Sequence, residues 1–442
     1  MRKLAAVAAL AAVSMTLAAC SGGGTADTKP SDGAAPATDL TAVDVTSATE
    51  VNVMTWWEAG SEKLGLEALV GVFNTQFPNT EFKNAAVAGG GGSQAKQKLA
   101  ADLAAHNPPD TFQAHAGAEL NDYIEAGQIA DVSALYDEFG LRDAFPATLL
   151  DRLTVDGKIF SVPSNVHRAN VVWANPTVLK EAGLDPAKAP ADVDAWIADM
   201  EKIKAAGKTP ITVGMAWTQL HLLETILVAD LGAEKYNGLW DGSTDWASAE
   251  VTTALGHFEK IMSLSDASLH NEDWQPALQP VIDGTAAYNV MGDWALSAYD
   301  EAGKKAGTDY IYFPVPGTDG IFDFLADSFT LPVDTKNVAG AKAWMKAISS
   351  PEGQVAFNTV KGSIPARSDL TAEQIGMFSE YQQNAIKSFG TDTIVSSVAH
   401  GAAASVTVSS SILDAMKKFT EGASDLAGFQ AELVKATEGL KK

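Results

Sequence analysis

Two adjacent tryptophans, Trp56 and Trp57, stand where a short apolar segment ends and a helical pattern begins. Residues 51–55 have the composition of a strand, and apolar residues recur at helical spacing from Glu62 onward. In folds built from strand–loop–helix units, ligands bind beyond the carboxyl ends of the strands. We therefore expect both indoles at the mouth of a cleft, where they suit a flat, partly apolar ligand with polar edges, such as a pyranose ring. The alternative is that both belong to the core, since tryptophan is mostly buried.

Polar residues follow two other predicted strands. Gln113 and His115 are two positions apart, so both point to one side of a regular strand. Asp293 precedes Trp294 after a strand at 286–290, and an aspartate there is also a favoured helix N-cap. These side chains can hydrogen-bond to the rim of a small polar ligand.

Four consecutive glycines occupy residues 89–92, between a predicted strand and a predicted helix. Their spacing matches neither the P-loop nor the dinucleotide-binding fingerprint. We interpret the segment as one that lets the backbone approach a ligand closely.

Composition bounds the function. The 442 residues are enough for two domains, and 46% are apolar, which supports a substantial core. The formal net charge of −24 argues against a nucleic-acid partner or a basic membrane-binding face.

We expect no cofactor and no metal. His221 and Glu224 have the i, i+3 spacing of a possible metal-binding pair, but a surface contact between them is the favoured interpretation. The other histidines show no ligand spacing.

The amino terminus carries a targeting pattern. A basic start, an apolar run at 4–19 and small residues before Cys20 resemble a bacterial lipoprotein signal peptide. The resemblance implies cleavage before Cys20 and its acylation. A plain secretory signal with an incidental cysteine is the alternative. We interpret residues 1–19 as the signal peptide and residues 20–50, which are mainly small and polar, as a flexible linker. No later run approaches the about 20 apolar residues of a membrane span.

From residue 51 onward, predicted strands and helices alternate, which indicates an α/β class with two lobes. The strands are predicted at 51–55, 80–87, 111–115, 158–163, 166–174, 210–214, 286–290, 310–315 and 326–333. The helices are predicted at 62–77, 94–105, 176–183, 191–207, 220–231, 246–264, 275–283, 294–305 and 423–442, with further helices after 339.

Several segments, in this order, resemble the solute-binding proteins of bacterial ABC sugar importers, in the maltose-binding-like group and closest to its glucose/mannose-binding branch. The segments are Trp56-Trp57 with Glu62, the glycines 89–92, 108–117, 161–163 with 171–175, 291–294 and 361–365.

The resemblance implies a periplasmic-binding-protein-like fold with the ligand in a cleft between lobes. It implies crossovers near 167–170, Pro314 and Val333, a first lobe of 51–168 and 314–335, and a second of 169–313 and 336–442. It also implies a monomeric binding protein, not an enzyme, anchored at the outer face of the cell membrane and delivering a monosaccharide to ABC permease subunits. The implied ligand-binding residues of the first lobe are Trp56, Trp57, Glu62, Lys96, Gln113 and His115. Those of the second are Trp217 (or Trp274), Asp293, Lys361 and His400.

Two rival functions stay open. A secreted glycoside hydrolase would use two carboxylates flanking one bond, for which Glu62 and Asp293 are candidates. An importer receptor for an oligosaccharide, a polyol or a glycerophosphodiester would need a longer cleft. The sequence does not choose among hexoses and pentoses.

Overall fold

A computed structural model describes residues 39–440 of the chain. The predicted signal peptide and Cys20 lie outside the described residues. Between residues 39 and 440, no helix has both the length and the apolar character needed to cross a bilayer.

Strands and helices alternate through most of the described chain, and the predicted α/β class is confirmed. The strands are β1 Glu50–Met54, β2 Glu81–Asn84, β3 Thr111–His115, β4 Thr154–Val155, β5 Lys158–Ile159, β6 Ser161–Pro163, β7 His167–Arg168, β8 Val171–Ala174, β9 Thr209–Thr212, β10 Ala286–Val290, β11 Ile311–Pro314, β12 Ile321–Leu325, β13 Asp327–Thr330 and β14 Thr393–Ser396.

The α-helices are α1 Gly60–Gln76, α2 Ser93–Ala104, α3 Asn121–Glu125, α4 Ser133–Glu138, α5 Leu141–Ala144, α6 Ala147–Leu153, α7 Pro176–Glu181, α8 Val193–Ala205, α9 Ala216–Asp241, α10 Ala249–Leu264, α11 Trp274–Asp283, α12 Ala295–Glu301, α13 Val338–Ser349, α14 Pro351–Lys361, α15 Ala372–Ile375, α16 Glu380–Thr391, α17 Val406–Thr420 and α18 Leu426–Ala436. Short 3₁₀ turns occur at Leu40–Ala42, Val45–Ser47, Gly90–Gly92, Ala118–Leu120, Ala267–Leu269 and Glu438–Leu440.

Two sheets organise the molecule. The first has the strand order β2-β1-β3-β13-β6, with β1 parallel to β2 and β3, and β13 antiparallel to β3 and β6. The second has the order β11-β8-β10-β9. The chain passes from β6 to β8 through β7, which joins β12 and β14 in a small third sheet. In the first sheet, β1 ends just before the loop that carries Trp56 and Trp57, and β3 ends at His115.

The buried apolar side chains of the described residues form two large hydrophobic clusters. Alternate residues of β1, Val51 and Val53, are fully buried in the first cluster, as expected for a strand covered on one face by helices. The second cluster includes side chains of β8 to β10 and takes most of the apolar side chains of α8, α9 and α10. In the second sheet, Trp173 belongs to the first cluster and the adjacent Val172 of the same strand belongs to the second, so this sheet lies between the two clusters.

The packing differs from the predicted lobe boundaries after residue 336. Helices α13 and α14 pack on α1, and α13 also packs on β1. Their side chains Trp344 and Phe357 are fully buried in the first cluster. On the second side, α17 and β14 pack on α9, and α18 packs on α10. The prediction that all of 336–442 belongs to the second lobe is wrong for α13 and α14, because the apolar faces of these helices match the first sheet.

The predicted flexible linker ends earlier than residue 50. Residues 40–47 form two 3₁₀ turns whose entrances are capped by Asp39 and Asp44. Leu40 is buried, and the buried Lys342 ammonium donates hydrogen bonds to the carbonyls of Leu40 and Val43 at 2.8 and 2.9 Å. This stretch is packed because its few apolar side chains find a surface on α13 and α4.

Candidate functional site

A cavity of about 260 Å³ lies beyond the carboxyl ends of β1 and β3, between groups from both large sheets. Its wall contains five indoles and a set of polar groups. The indoles are Trp56, Trp57, Trp217, Trp274 and Trp294, and the polar side chains are Glu62, His115, His167, Asp273, Gln275, Asp327, Lys361 and His400. The expectation that the paired tryptophans and their neighbours lie at a strand-end cleft agrees with this arrangement.

The two adjacent tryptophans occupy different surroundings. Trp57 is fully buried, with its ring centroid 4.7 Å from that of Phe357 and 5.9 Å from that of Phe329. Trp56 keeps 7% of its surface exposed and lies 5.1 Å from the His115 ring. Both border the cavity, but Trp57 is mainly a core residue and Trp56 has the face that a ligand can contact.

Lys361 and Glu62 form an ion pair in the cavity wall. The Lys361 ammonium lies 2.8 Å from the Glu62 carboxylate and 5.9 Å from the ring centroids of Trp57 and Trp294. Glu62 belongs to the first turn of α1, where a carboxylate is favoured by the helix dipole. Lys361 ends α14, so it approaches the cavity from the side of the first sheet, which differs from its predicted second-lobe position.

His115 is held by a buried acid that the sequence analysis missed. The Glu119 carboxylate lies 2.8 Å from both His115 Nδ1 and the Lys96 ammonium. Burial of Glu119 raises its pKa, but the charges and hydrogen bonds of Lys96 and His115 outweigh burial and lower it to about 2. Lys96 therefore pairs with Glu119 and does not border the cavity.

Gln113 lies behind the wall. Its side-chain oxygen accepts hydrogen bonds from the Thr55 hydroxyl and the Trp56 amide, and its amide nitrogen donates to Asp327 at 2.9 Å. With these groups satisfied, Gln113 fixes the loop that carries Trp56 and does not border the cavity.

His167 is a wall residue for which the sequence showed no signal. Its Nδ1 bonds the Asp293 carboxylate, and its Nε2 lies 3.1 Å from Asp327 Oδ2. Burial lowers the pKa of His167, but the two carboxylates outweigh burial and raise it, which favours an imidazolium. The same contact with His167 helps lower the pKa of Asp327 despite its burial.

Asp293 is fully buried behind His167 and does not border the cavity. One of its oxygens bonds His167, and the other accepts the Arg168 amide at 3.0 Å. The prediction that Asp293 reaches a ligand hydroxyl therefore differs from its place in the structure. The N-cap interpretation is also wrong, because α12 has no side-chain cap.

Asp273 joins the glycine segment to two indoles. Its Oδ1 accepts hydrogen bonds from Trp217 Nε1 at 2.9 Å and from the Trp274 amide at 2.8 Å. Its Oδ2 accepts the Gly90 amide at 3.0 Å. A Cβ at Gly91 would lie 3.1 Å from Trp217, and one at Gly92 would lie 2.8 Å from Trp56. The glycines thus permit close approach of the backbone, as predicted, but to indole rings of the wall.

His400 completes the wall beside Trp217 and Trp294, with ring centroids 5.7 and 5.1 Å away. Behind it, His221 and Glu224 are fully buried in the middle of α9, so the predicted surface contact between them is wrong.

Within residues 39–440, ligand atoms of His221, Glu224 and His400 lie within 4.8 Å of one another, a spacing that can hold a metal ion. Burial lowers the pKa of His221 to about 4 and that of His400 well below its ordinary value, so both rings are neutral.

The carboxylates of the wall already have partners in the protein. Glu62 pairs with Lys361, Asp327 with His167 and Gln113, and Asp273 with Trp217 and Gly90. Such a wall can stack on an apolar face and exchange hydrogen bonds with a polar rim.

Residues 57–355 match the family model described as bacterial extracellular solute-binding protein. The chain is 34% identical over 358 residues to an uncharacterized ABC transporter extracellular-binding protein of Pyrococcus horikoshii, covering 80% of each chain. It is 32% identical over 403 residues to a probable sugar-binding periplasmic protein of Mesorhizobium japonicum, covering 89% of this chain and 94% of the relative. The fold resembles that of a chitin oligosaccharide binding protein with a TM-score of 0.75 and 21% identity, covering 89% of this chain and 99% of the other.

Proposed function

The chain belongs to the family of bacterial extracellular solute-binding proteins of ABC transporters, and from this membership we propose that it captures a single monosaccharide, of the glucose or mannose type, for import. Family membership also means that the chain is not an enzyme. The probable sugar-binding relative supports a sugar as the solute class.

The observation that carries the proposal is the indole-lined cavity of about 260 Å³. Pockets for drug-sized ligands span roughly 300–1,000 Å³, so this cavity suits one sugar ring better than a chain of rings. Indole faces pack on the apolar C–H face of a pyranose, and charged and amide groups bind its hydroxyls. Each hydrogen bond to a charged partner contributes roughly 1.5–3 kcal/mol.

We assign Trp56 as the stacking residue on the first-sheet side and Trp217 and Trp274 on the opposite side. The hydroxyls are bound by polar side chains that line the cavity, namely Glu62, His115, Lys361 and His400. Lys96, Gln113 and Asp293 act one layer behind, because their polar atoms are engaged by Glu119, Asp327 and His167. A site with this many fixed partners disfavours epimers that leave a buried group unpaired.

We assign residues 51–168 and 314–335 to the first lobe, together with α13 and α14, which pack on α1. We assign residues 169–313 to the second lobe, together with α17 and α18, which pack on α9 and α10. Closure of the lobes around the sugar stabilises the closed form by the difference in affinity between the two states. Acylation of Cys20 holds the monomer at the outer face of the membrane, within reach of the permease.

A thermal-shift and calorimetry panel of mono- and oligosaccharides tests this function. We expect glucose or mannose to raise the unfolding midpoint, since a ligand of the native state at about 100 times its Kd adds roughly 2.7 kcal/mol. Binding should be micromolar or tighter, about −8 kcal/mol or better. A larger shift with maltose or a chitin oligosaccharide than with any monosaccharide contradicts the proposal. The Cys20→Ser variant, assayed for palmitate incorporation, tests the anchor separately.

A further inference from the structure

The ring nitrogens of His221 and His400 form a chain that begins at a backbone carbonyl. His221 Nε2 lies 2.9 Å from the Ala169 carbonyl oxygen, and His221 Nδ1 lies 3.0 Å from His400 Nε2. A carbonyl can only accept, so His221 Nε2 carries a hydrogen and donates it. The tautomer of the first ring therefore follows from its partner.

The second link follows from the charge of the first ring. If His221 also carried a hydrogen on Nδ1, it would be an imidazolium in a fully buried position. The neighbouring Glu224 carboxylate bonds the Ser397 hydroxyl and the Ala399 amide and makes no hydrogen bond to His221 among the described residues. A neutral His221 has a lone pair on Nδ1, so His400 Nε2 must donate to it.

The ring at the end of the chain lines the candidate site. His400 is neutral and carries its hydrogen on Nε2, so its Nδ1 is an acceptor. Among residues 39–440, no group donates to His400 Nδ1 in the structure, and His400 lines the cavity. We infer that His221 is a positioning residue that fixes the tautomer of His400, so that His400 Nδ1 accepts a hydrogen bond from one hydroxyl of the ligand. The hydroxyl part of this inference rests on the proposed function.

Helix α9 also fixes the backbone that carries His400. Glu224, one turn after His221, accepts hydrogen bonds from the Ser397 hydroxyl at 2.8 Å and the Ala399 amide at 2.8 Å. The Ser397 hydroxyl oxygen in turn accepts the His400 amide at 3.2 Å. Two residues on one face of α9 thus set both the position of the loop and the protonation pattern of the ring.

The tautomer is measured directly by ¹⁵N NMR of histidine-labelled, ligand-free protein, which does not depend on any sugar binding. We expect an unprotonated Nδ1 and a protonated Nε2 for His400. The His221→Phe variant removes the acceptor and should release this preference. His221→Asn keeps an oxygen near the position of Nδ1 and should retain it. A protonated His400 Nδ1 in the wild type overturns the inference.

The role in binding is measured with glucose and its deoxyfluoro analogues, since fluorine cannot donate a hydrogen bond. We expect His221→Phe to weaken glucose binding about tenfold and His221→Asn to change it by less than about threefold. One deoxyfluoro analogue should lose affinity in the wild type but not in His221→Phe. His257→Phe is the control, because His257, in α10, bonds Asp230 of α9 and does not border the cavity. Equal losses in the two phenylalanine variants overturn the inference.

Metal analysis distinguishes the hydrogen-bond chain from metal binding by the same ring nitrogens of His221 and His400. Stoichiometric zinc in the purified protein, with metal-bound shifts for His221 and His400, overturns the hydrogen-bond chain, because both nitrogens would then be ligands. If no saccharide binds while His400 shows the expected tautomer, the proposed function fails and the positioning role of His221 stands.

Discussion

The Lys361 ammonium lies 2.8 Å from the Glu62 carboxylate, although the two residues are 299 positions apart in the chain. Glu62 opens α1 and Lys361 closes α14, and the packing of these two helices brings the charges together at the cavity. The Lys361 side chain is 2% exposed and that of Glu62 is 19% exposed, so the ligand meets mainly the carboxylate. The pair offers a charged acceptor and a charged donor whose positions are fixed before a ligand arrives.

Lys361→Met should weaken sugar binding by about one to two orders of magnitude, because Lys361 holds the Glu62 carboxylate in place through a charge-assisted hydrogen bond, and such a bond contributes roughly 1.5–3 kcal/mol. Isothermal titration calorimetry measures the change. Lys346→Met is the matched control, since Lys346 also lies over an aromatic ring, that of Phe139, but away from the cavity. If Glu62→Gln and Lys361→Met have additive effects in the double variant, the two residues do not act as a pair.

Gly92→Ala should weaken sugar binding about tenfold or more, because a Cβ there would lie 2.8 Å from the Trp56 ring and displace it. Gly92 also has a φ of 88°, where alanine costs about 1–2 kcal/mol. Gly127→Ala pays a similar backbone cost at φ 64°, but its Cβ meets nothing within 4 Å. Binding and unfolding curves of both variants separate the two effects, and equal affinities would contradict the role given to the glycine segment.

Glu119 should make the protein acid-sensitive. Its pKa falls from the ordinary 4.5 to about 2 in the folded state, so its stabilisation is complete above about pH 4.5 and is lost as the pH falls towards 2. The loss amounts to at most about 3 kcal/mol. Denaturant unfolding at several pH values should give a shallower acid decline for Glu119→Gln than for the wild type. Glu125→Gln, at an exposed position of α3, should decline like the wild type; identical slopes in all three proteins would contradict the assignment.

Asp273→Ala should weaken binding by about tenfold or more, because it removes the acceptor shared by Gly90, Trp217 and Trp274. Its contact with Gly90 joins groups from the two sides of the cavity, so the variant should also populate a more open form. Small-angle scattering with and without glucose measures the opening. Asp266→Ala is the control, since within residues 39–440 the Asp266 carboxylate hydrogen-bonds Ser268 alone. An unchanged scattering profile together with unchanged affinity would count against the proposed contact.

Local patterns in the sequence predict much of the fold and part of the wall. The alternating burial of β1, the turn at Trp56-Trp57 and the placement of His115 at the end of β3 are local features, and each is found where the pattern indicates. The strands β12 and β14 were not predicted. β14 has four residues between helical segments and becomes a strand only by pairing with β12.

Local sequence patterns could not predict the roles of residues whose partners are distant in the chain. His167 acquires its role from Asp293 and Asp327, which are 126 and 160 positions away. For His221 and Glu224 a signal was present: α9 is apolar on all sides around them, which is typical of a buried helix and excludes a surface pair. The lobe of α13 and α14 was mispredicted for the same reason that His167 was missed: contacts with distant residues decide both. The apolar face of a helix does not by itself indicate which sheet the helix covers.

The paired tryptophans should respond oppositely to truncation. Trp57→Ala removes a fully buried ring packed on Phe329 and Phe357 and should destabilise the protein by about 3–5 kcal/mol. Trp56→Ala should cost less stability, because part of its face is open to the cavity, but it should reduce sugar affinity by about tenfold or more. Denaturant unfolding and calorimetry on both variants measure the two quantities independently. If Trp57→Ala folds with wild-type stability and loses binding, the stacking residue is Trp57 and not Trp56.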